Sequence, residues 1–159
     1  MPALIENVRG LLTAAPHLVE IFVASPPGVV EIAGEAVAKG RPRMTRSGHA
    51  YTPAATARFE AMVREVAMDA EIPYYDAGAL YAAVLFVVPY PKAVAKKRRG
   101  TIVFPESARS DLENLKKAVF DALNGVAWRD DRLIQRDEAI RVYGDRPLIR
   151  VVYGKMVNG

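Results

Sequence analysis

Apolar residues with two different periods divide this chain into predicted helices and strands. Helical spacing of apolar side chains predicts one helix from Pro53 to about Ala70 and another over Leu112–Leu123. Thr52 is the expected N-cap of the first helix, with Pro53 at its first helical position. A nearly continuous apolar run over Ala79–Val88 predicts a central strand that is buried on both faces.

Shorter apolar or alternating segments add further strands to this pattern. Val29–Ala36 predicts a first strand, and the basic, turn-rich segment Lys39–Tyr51 predicts a strand, a loop and a return. Ile134–Tyr143 and Pro147–Tyr153 predict two strands around a Gly-Asp turn. The order of elements predicts a mixed α/β (α+β) class, in which a mixed sheet packs against helices.

The N-terminal segment is a predicted extension, residues 1–28, to a single domain that spans residues 29–159. Leu4–Ala15 has helical spacing, Leu18–Ala24 is typical of a short apolar strand, and a Ser-Pro-Pro-Gly sequence then breaks the pattern. Charged residues interrupt the first apolar run and no basic leader precedes it, so we expect no signal peptide. No apolar stretch has the length of a membrane span, and the expected location is the cytoplasm.

Composition limits the chemistry that the chain can perform. The 159 residues include no Cys, which excludes disulfides, thiolate metal sites and a Cys nucleophile, and only two His. Lys and Arg number 22 against 18 Asp and Glu, so the net charge of +4 combines a modest positive excess with many acids. A metal bound through oxygen ligands is therefore more plausible than zinc.

Two acidic clusters flank the second predicted helix. Asp111 and Glu113 lie at its start, and Asp130 and Asp131 follow it. A helix over Leu112–Leu123 carries the chain roughly 18 Å at about 1.5 Å per residue. The segment after it can span roughly 23 Å when it is extended, so the length of the chain permits Asp131 to return beside Asp111.

These carboxylates in a basic chain indicate a divalent cation held against a phosphodiester, because Mg²⁺ takes oxygen ligands and shares its shell with phosphate and water. A structural interpretation stays open beside this one. Ser110-Asp111-Leu112-Glu113 fits a capping box with Ser110 as the cap. Lys117 lies four residues from both Glu113 and Asp121, as in exposed helical ion pairs, and the second acidic cluster fits a solvated turn.

Two basic segments are candidate contacts for nucleic acid. In the first segment, basic residues alternate at strand-like spacing and no acid lies among them. Such a strip would neutralise DNA phosphates without reading the base sequence. The alternative is a charged edge strand. The residues of this first segment are Lys39, Arg41, Arg43 and Arg46. The second is a run of four charges, which also fits a solvated loop. Its residues are Lys96, Lys97, Arg98 and Arg99.

Three motifs follow one another in a specific order. They are G-R-P-R, then Y-T-P-A-A-T-A-R-F-E, then D-L-E-N-L-K-K-A-V-F-D-A-L-N-G-V-A-W-R-D-D. Over roughly Val30–Tyr153 this series resembles the RusA family of Holliday junction resolvases, which are often found in prophages. The resemblance implies a homodimeric, Mg²⁺-dependent endonuclease that makes paired nicks in branched, four-way DNA. It also implies Mn²⁺ as a substitute metal, with no organic cofactor and no membrane partner.

The same resemblance implies a role for each matching residue. Asp111, Glu113 and Asp131 match metal-binding acids, and Asp130 adjoins them. Lys117 matches the catalytic lysine. Glu113 stands where the family usually has Asp, and the extra methylene displaces its carboxylate although Mg²⁺ requires near-ideal octahedral geometry. The alternative functions are therefore a branched-DNA-binding protein with an impaired metal site and a general nucleic-acid-binding module.

Overall fold

The computed structural model describes residues 26–92 and 110–157, together with residues 21, 104, 105 and 108. Two α-helices and six strands occur in this part of the chain, and a short 3-10 turn lies between the second helix and the fifth strand. In chain order the elements are β1 (Gly28–Ala33), β2 (Arg43–Met44), β3 (Ala50–Tyr51), α1 (Ala54–Asp69), β4 (Leu80–Pro89), α2 (Leu112–Leu123), the 3-10 turn (Asp131–Leu133), β5 (Ile134–Gly144) and β6 (Leu148–Lys155).

Four of the strands form one mixed sheet in the order β1-β6-β4-β5, and β2 pairs with β3 in a separate hairpin. β6 runs antiparallel to both of its neighbours, whereas β4 and β5 run parallel to each other. Parallel neighbours need a crossover connection, and α2 lies in the connection between β4 and β5. This crossover fixes the side of the sheet on which α2 lies.

β4 is the central strand that its apolar run predicted. Its side chains alternate between two faces of the sheet: Val84 and Phe86 join the main core, and Leu85 and Val87 join a smaller apolar cluster on the opposite face. All four side chains are buried. A strand buried on both faces needs apolar residues at every position, which explains the uninterrupted run.

Both helices pack on one face of the sheet. α1 contributes Phe59 and Val63 to the main core, and α2 contributes Leu115 and Val119. The buried ring of Trp128, in the segment after α2, completes this core. The described residues thus form a single α+β domain, and none of their helices has the length and apolarity of a transmembrane span.

Several predicted boundaries differ from those in the structure. α1 begins at Ala54, and its N-cap is Pro53 instead of Thr52, because the ψ of 139° at Pro53 is still extended. β1 ends at Ala33 and does not reach Ala36, because Gly34 turns the chain with a φ of 124°. The predicted helix over Leu4–Ala15 lies outside the described residues.

Two predicted segments need separate comment. Within Leu18–Ala24, Ile21 is the residue that the structure describes, and its backbone is helical, so the predicted strand is wrong at that residue. The remainder of Leu18–Ala24 and the basic run at residues 96–99 lie outside the described residues. The proposed extension over residues 1–28 stays a prediction.

Candidate functional site

Asp111 caps the N-terminus of α2. Its Oδ1 accepts a hydrogen bond from the backbone N–H of Asn114 at 2.7 Å, and its Oδ2 accepts one from Asn114 Nδ2 at 2.9 Å. The capping-box interpretation is therefore wrong in its choice of Ser110 as the cap. Because a carboxylate offers about four lone-pair positions, both oxygens of Asp111 retain the capacity to bind a cation.

Glu113 lies in the first turn of α2 and is 76% exposed. Its carboxylate pairs with Lys116, three residues on, at 2.7 Å, and does not form the predicted pair with Lys117. Lys116 also pairs with Asp137 of β5, and its own side chain is only 15% exposed. Burial alone would lower the pKa of Lys116, but the hydrogen bonds from its ammonium group to Asp137 and Glu113 outweigh burial, and this pKa is raised.

Lys117 is the exposed member of a cluster of charges between the two helices. Its side chain is 58% exposed, and its Nζ lies 3.5 Å from Asp121 Oδ1. The other oxygen of Asp121 lies 2.9 Å from Lys39 Nζ, which also lies 2.5 Å from Glu60 Oε1 of α1. Lys39, predicted to belong to the DNA strip, therefore has two carboxylate partners, whereas Lys117 shares one.

The remaining predicted strip surrounds the β2–β3 hairpin, whose turn is closed by two hydrogen bonds between Thr45 and His49. Its arginines, Arg41, Arg43 and Arg46, are all exposed. Two-residue strands replace the longer predicted strands, because the hairpin has no apolar face to bury against the core. The strip therefore forms an exposed basic loop outside the main sheet.

The second acidic cluster lies in the 3-10 turn just before β5. Asp130 caps the 3-10 turn through a 3.0 Å hydrogen bond from the N–H of Arg132, and its carboxylate pairs with Arg132 Nε at 2.7 Å. Hydrogen bonds from the side chain and then the backbone of Arg132 lower the pKa of Asp130. Asp131 is the first residue of the turn and is partly exposed.

A buried tryptophan holds the segment that precedes this turn. The indole Nε1 of Trp128 donates a 2.9 Å hydrogen bond to Asn124, the C-cap of α2, and its ring makes edge contacts with Phe120 and Tyr153. Asp131 follows Trp128 by three residues. The second acidic cluster is thereby kept near the C-terminal end of α2.

Contacts between α2 and β5 show that the two acidic clusters lie at opposite ends of the helix. Ser110 O, just before α2, accepts a 2.9 Å hydrogen bond from Arg141 Nη2, whereas Lys116, further along α2, contacts Asp137, which is earlier in β5. The helix and the strand therefore run antiparallel. α2 has 12 residues and spans roughly 18 Å at about 1.5 Å per residue.

This separation bears on the predicted metal ligands. Within one chain, the structure does not bring Asp131 beside Asp111 and Glu113, although the length of the chain permits it. Across the described ranges, no group of three or more His, Cys, Asp or Glu side chains is placed to hold one metal ion. The assignment of these residues to a metal stays a prediction.

Comparison with known families identifies the fold and its motifs. The family model described as endodeoxyribonuclease RusA matches residues 33–152. The chain belongs to the RusA endodeoxyribonuclease family. An uncharacterized protein of Bacillus subtilis (strain 168), YqaN, is 29% identical over 127 residues, which cover 75% of this chain and 89% of that protein. The predicted family is thus confirmed, and family membership supports nuclease activity on branched DNA.

The RusA match includes both acidic clusters, and their chemistry fits a hard cation. Asp111, Glu113, Asp130 and Asp131 are all carboxylates, the ligands that Mg²⁺ prefers. Among the described residues, the exposed Glu113 pairs with Lys116, and a cation would have to compete with this lysine. This chain therefore has carboxylate ligands suitable for Mg²⁺, but they are divided between the two ends of α2.

Sequence patterns did not reveal three residues that surround these acids. Asp137 and Glu60 join the site through contacts with lysines that are distant in sequence, and no local spacing could have indicated them. Arg141 reaches Ser110 across 31 positions of the chain. The pair between Glu113 and Lys116 could have been predicted from their spacing of three residues on a helix. Lys117, four residues from Glu113, was an equally possible partner.

Proposed function

We propose that this chain is a Mg²⁺-dependent endonuclease that resolves four-way DNA junctions in recombination and repair, and that it acts as a homodimer. The observation that supports this most directly is the family match over residues 33–152, which contains both acidic clusters and Lys117. Of these residues, Asp111 is the N-cap of α2, and Glu113 and Lys117 lie in its first two turns, so all three are carried by one rigid element close to the protein surface.

The position of the two acidic clusters favours a site shared between two chains. A two-fold dimer in which the α2 helices run antiparallel would place the start of one helix beside the end of the other. Asp111 and Glu113 of one chain would then meet Asp131 of its partner, and the same contact would occur twice. Two equivalent sites would suit a junction in which two strands are cut.

In this arrangement Asp111, Glu113 and Asp131 would hold the cation, with Asp130 beside them. Mg²⁺ bound there would supply positive charge for the scissile phosphate and a water of lowered pKa. Lys117 offers a positive charge that stabilises the negative charge developing on the phosphate. Asp121 restrains the ammonium group of Lys117 from the side of the protein, so that its other donors remain available to DNA.

Binding of DNA would use the exposed basic loop around the β2–β3 hairpin. Arg41, Arg43 and Arg46 are exposed cations in a chain with a net charge of +4. Contacts of this kind neutralise phosphates and release counterions, so affinity for a junction should fall steeply as salt is added. Lys39 is held in its ion pairs and would contribute less to such binding.

Cleavage of a labelled four-way junction and of a matched linear duplex tests this proposal. With Mg²⁺, the wild-type protein should make symmetric nicks in the junction and leave the duplex intact, whereas Asp131→Asn should bind the junction without cutting it. Cleavage of both DNAs at similar rates would contradict junction specificity. Binding without cleavage by the wild-type protein would contradict catalysis, and Glu113→Asp would then show whether the longer side chain, held by Lys116, is responsible.

A further inference from the structure

Arg141 is a cation of β5 that lies at the start of α2. Its Nη2 donates a 2.9 Å hydrogen bond to the backbone oxygen of Ser110, the residue immediately before the cap Asp111. A strand residue is thus joined to the segment that carries the first acidic cluster. No sequence motif indicated this arginine.

Among the residues that the structure describes, none supplies a compensating negative charge to the guanidinium group of Arg141. Its Nε is buried and has no hydrogen-bond partner, and no carboxylate of the described residues pairs with it. Lys39 and Lys116, by contrast, each have two carboxylate partners. A neutral carbonyl satisfies one N–H of Arg141 but leaves its charge in place, and such a cation attracts an anion.

A groove of about 300 Å³ adjoins this arginine. Its walls are mainly apolar, and Phe104 among them is 48% exposed. The lining residues are Phe104, Pro105, Ala108, Leu112, Ala139, Ile140 and Arg141. Apolar walls exclude water and so strengthen the attraction between a guanidinium group and an anion. Leu112 is the first residue of α2, so the groove lies at the N-terminal end of the helix that Asp111 caps.

We propose that Arg141 binds a backbone phosphate of the junction strand in this groove, next to the phosphate that is cut. The inference rests on the proposed nuclease function and adds a DNA contact to it. A guanidinium group suits this ligand because its planar donors match phosphate oxygens in pairs. Phosphate binding also gives the unpaired Nε–H an acceptor once the side chain adjusts. Through Ser110, the same contact would fix the position of Asp111 relative to the bound strand.

Junction binding without metal, measured over a range of salt concentrations, tests the proposal. Loss of one phosphate contact reduces the slope of log affinity against log salt by about 0.9. Arg141→Met should show that reduction and should cut the junction at least tenfold more slowly than wild type with Mg²⁺. Arg136→Met is the matched control, because Arg136 lies on the same strand and already pairs with Glu138 at 2.8 Å. It should keep the wild-type slope.

A junction with single neutral methylphosphonates around the cut separates a direct contact from a structural role. Neutralising the phosphate that Arg141 contacts should weaken binding of the wild-type protein and of Arg136→Met. The same substitution should cause no further loss of affinity in Arg141→Met. Arg141→Lys, which keeps the charge, should lose less slope than Arg141→Met. Arg141→Gln, which keeps a hydrogen-bond donor for Ser110 O but carries no charge, provides the test if Arg141→Met fails to fold.

The outcomes of these experiments separate the two proposals. A wild-type slope in Arg141→Met, or equal methylphosphonate sensitivity in Arg141→Met and wild type, overturns the phosphate contact. If Arg141→Met is unfolded, a wild-type salt slope and wild-type methylphosphonate sensitivity in Arg141→Gln, which carries no charge, overturn it. Failure of the wild-type protein to bind or cut junctions overturns the nuclease function itself. This result comes from the wild-type protein alone and does not depend on any Arg141 variant.

Discussion

Asp111 combines two roles at the scale of a single residue. It caps α2 through two hydrogen bonds from Asn114, and it is a candidate ligand for the metal. The two roles depend on different properties of the side chain. Capping needs an oxygen acceptor at this position, whereas binding of a divalent cation needs the negative charge.

Asp111→Asn should separate these roles. Asn is about as good an N-cap as Asp, so the free energy of unfolding should change by less than about 0.5 kcal/mol. Loss of the charge should slow junction cleavage by about 100-fold or more, since even supporting residues of metal sites contribute 10–100-fold. Denaturation in urea and a cleavage assay measure the two effects.

Asp111→Ala is the matched control for the cap, because it removes both roles and should also cost about 1 kcal/mol of stability. Wild-type cleavage by Asp111→Asn would mean that the residue serves as a cap alone. Equal destabilisation by the Asn and Ala variants would mean instead that its negative charge, and not its hydrogen bonds, stabilises the helix.

At the scale of elements, one cluster of charges joins three parts of the fold. Lys39, in the loop after β1, pairs with Glu60 of α1 and with Asp121 of α2. Its backbone N–H also donates a 2.9 Å hydrogen bond to Asn114 O in the first turn of α2. The loop that leads to the basic hairpin is therefore attached to both helices.

This attachment should depend on pH. Burial alone would lower the pKa of Lys39, but the hydrogen bonds from its ammonium group to Glu60 and Asp121 outweigh burial and raise this pKa above the ordinary 10.5. A raised pKa in the folded state means that the stabilisation is fully present below pH 10.5 and is lost as the pH rises through the folded value.

Lys39→Met should remove this stabilisation, which we expect to be about 1 kcal/mol for a partly exposed pair. The difference in unfolding free energy between wild type and Lys39→Met should be constant from pH 7 to about 10 and should shrink above that range. Denaturation in urea at a series of pH values measures it. Lys116→Met is a useful comparison, because the pKa of Lys116 is also raised. A difference that grows at alkaline pH would contradict this account.

The elements also show how far the sequence could predict the fold. Each helix and each long strand buries a periodic set of apolar side chains, so α2 and β4 were predicted almost to the residue. Pairing between strands depends on contacts distant in sequence. β5 and β6 are consecutive and joined by a short turn, yet β4 lies between them in the sheet. No local pattern indicates that order.

For the candidate site too, local patterns in the sequence do not predict contacts between distant residues. The acids and Lys117 were predicted from one continuous motif, because α2 carries most of them. The partners of Lys39 and Lys116 could not be predicted, since Glu60 and Asp137 each lie 21 positions away from the lysine they bind. The choice of Asp111 over Ser110 as the cap also depends on backbone geometry that a capping-box pattern does not specify.

At the scale of the whole molecule, the proposed function requires Asp111 and Asp131 to act at one phosphate. They lie at opposite ends of an α2 helix that spans roughly 18 Å, whereas ligands of one Mg²⁺ lie about 2 Å from the ion. A single chain therefore does not gather them in the described geometry. The shared site proposed for the dimer solves this problem with two copies of the same surface.

Mixed dimers of two inactive variants test the shared site. Asp111→Asn and Asp131→Asn should each be inactive alone, because every site in either homodimer lacks one carboxylate. In a dimer with one chain of each kind, one shared site carries both substitutions and the other carries both native acids. Co-expression and refolding of the two variants together should therefore restore nicking at one strand of the junction, and paired cuts should stay absent. A site built within one chain would give no recovery, because each chain of the mixed dimer lacks an acid; tagged chains purified in tandem would confirm that the mixed dimer had formed.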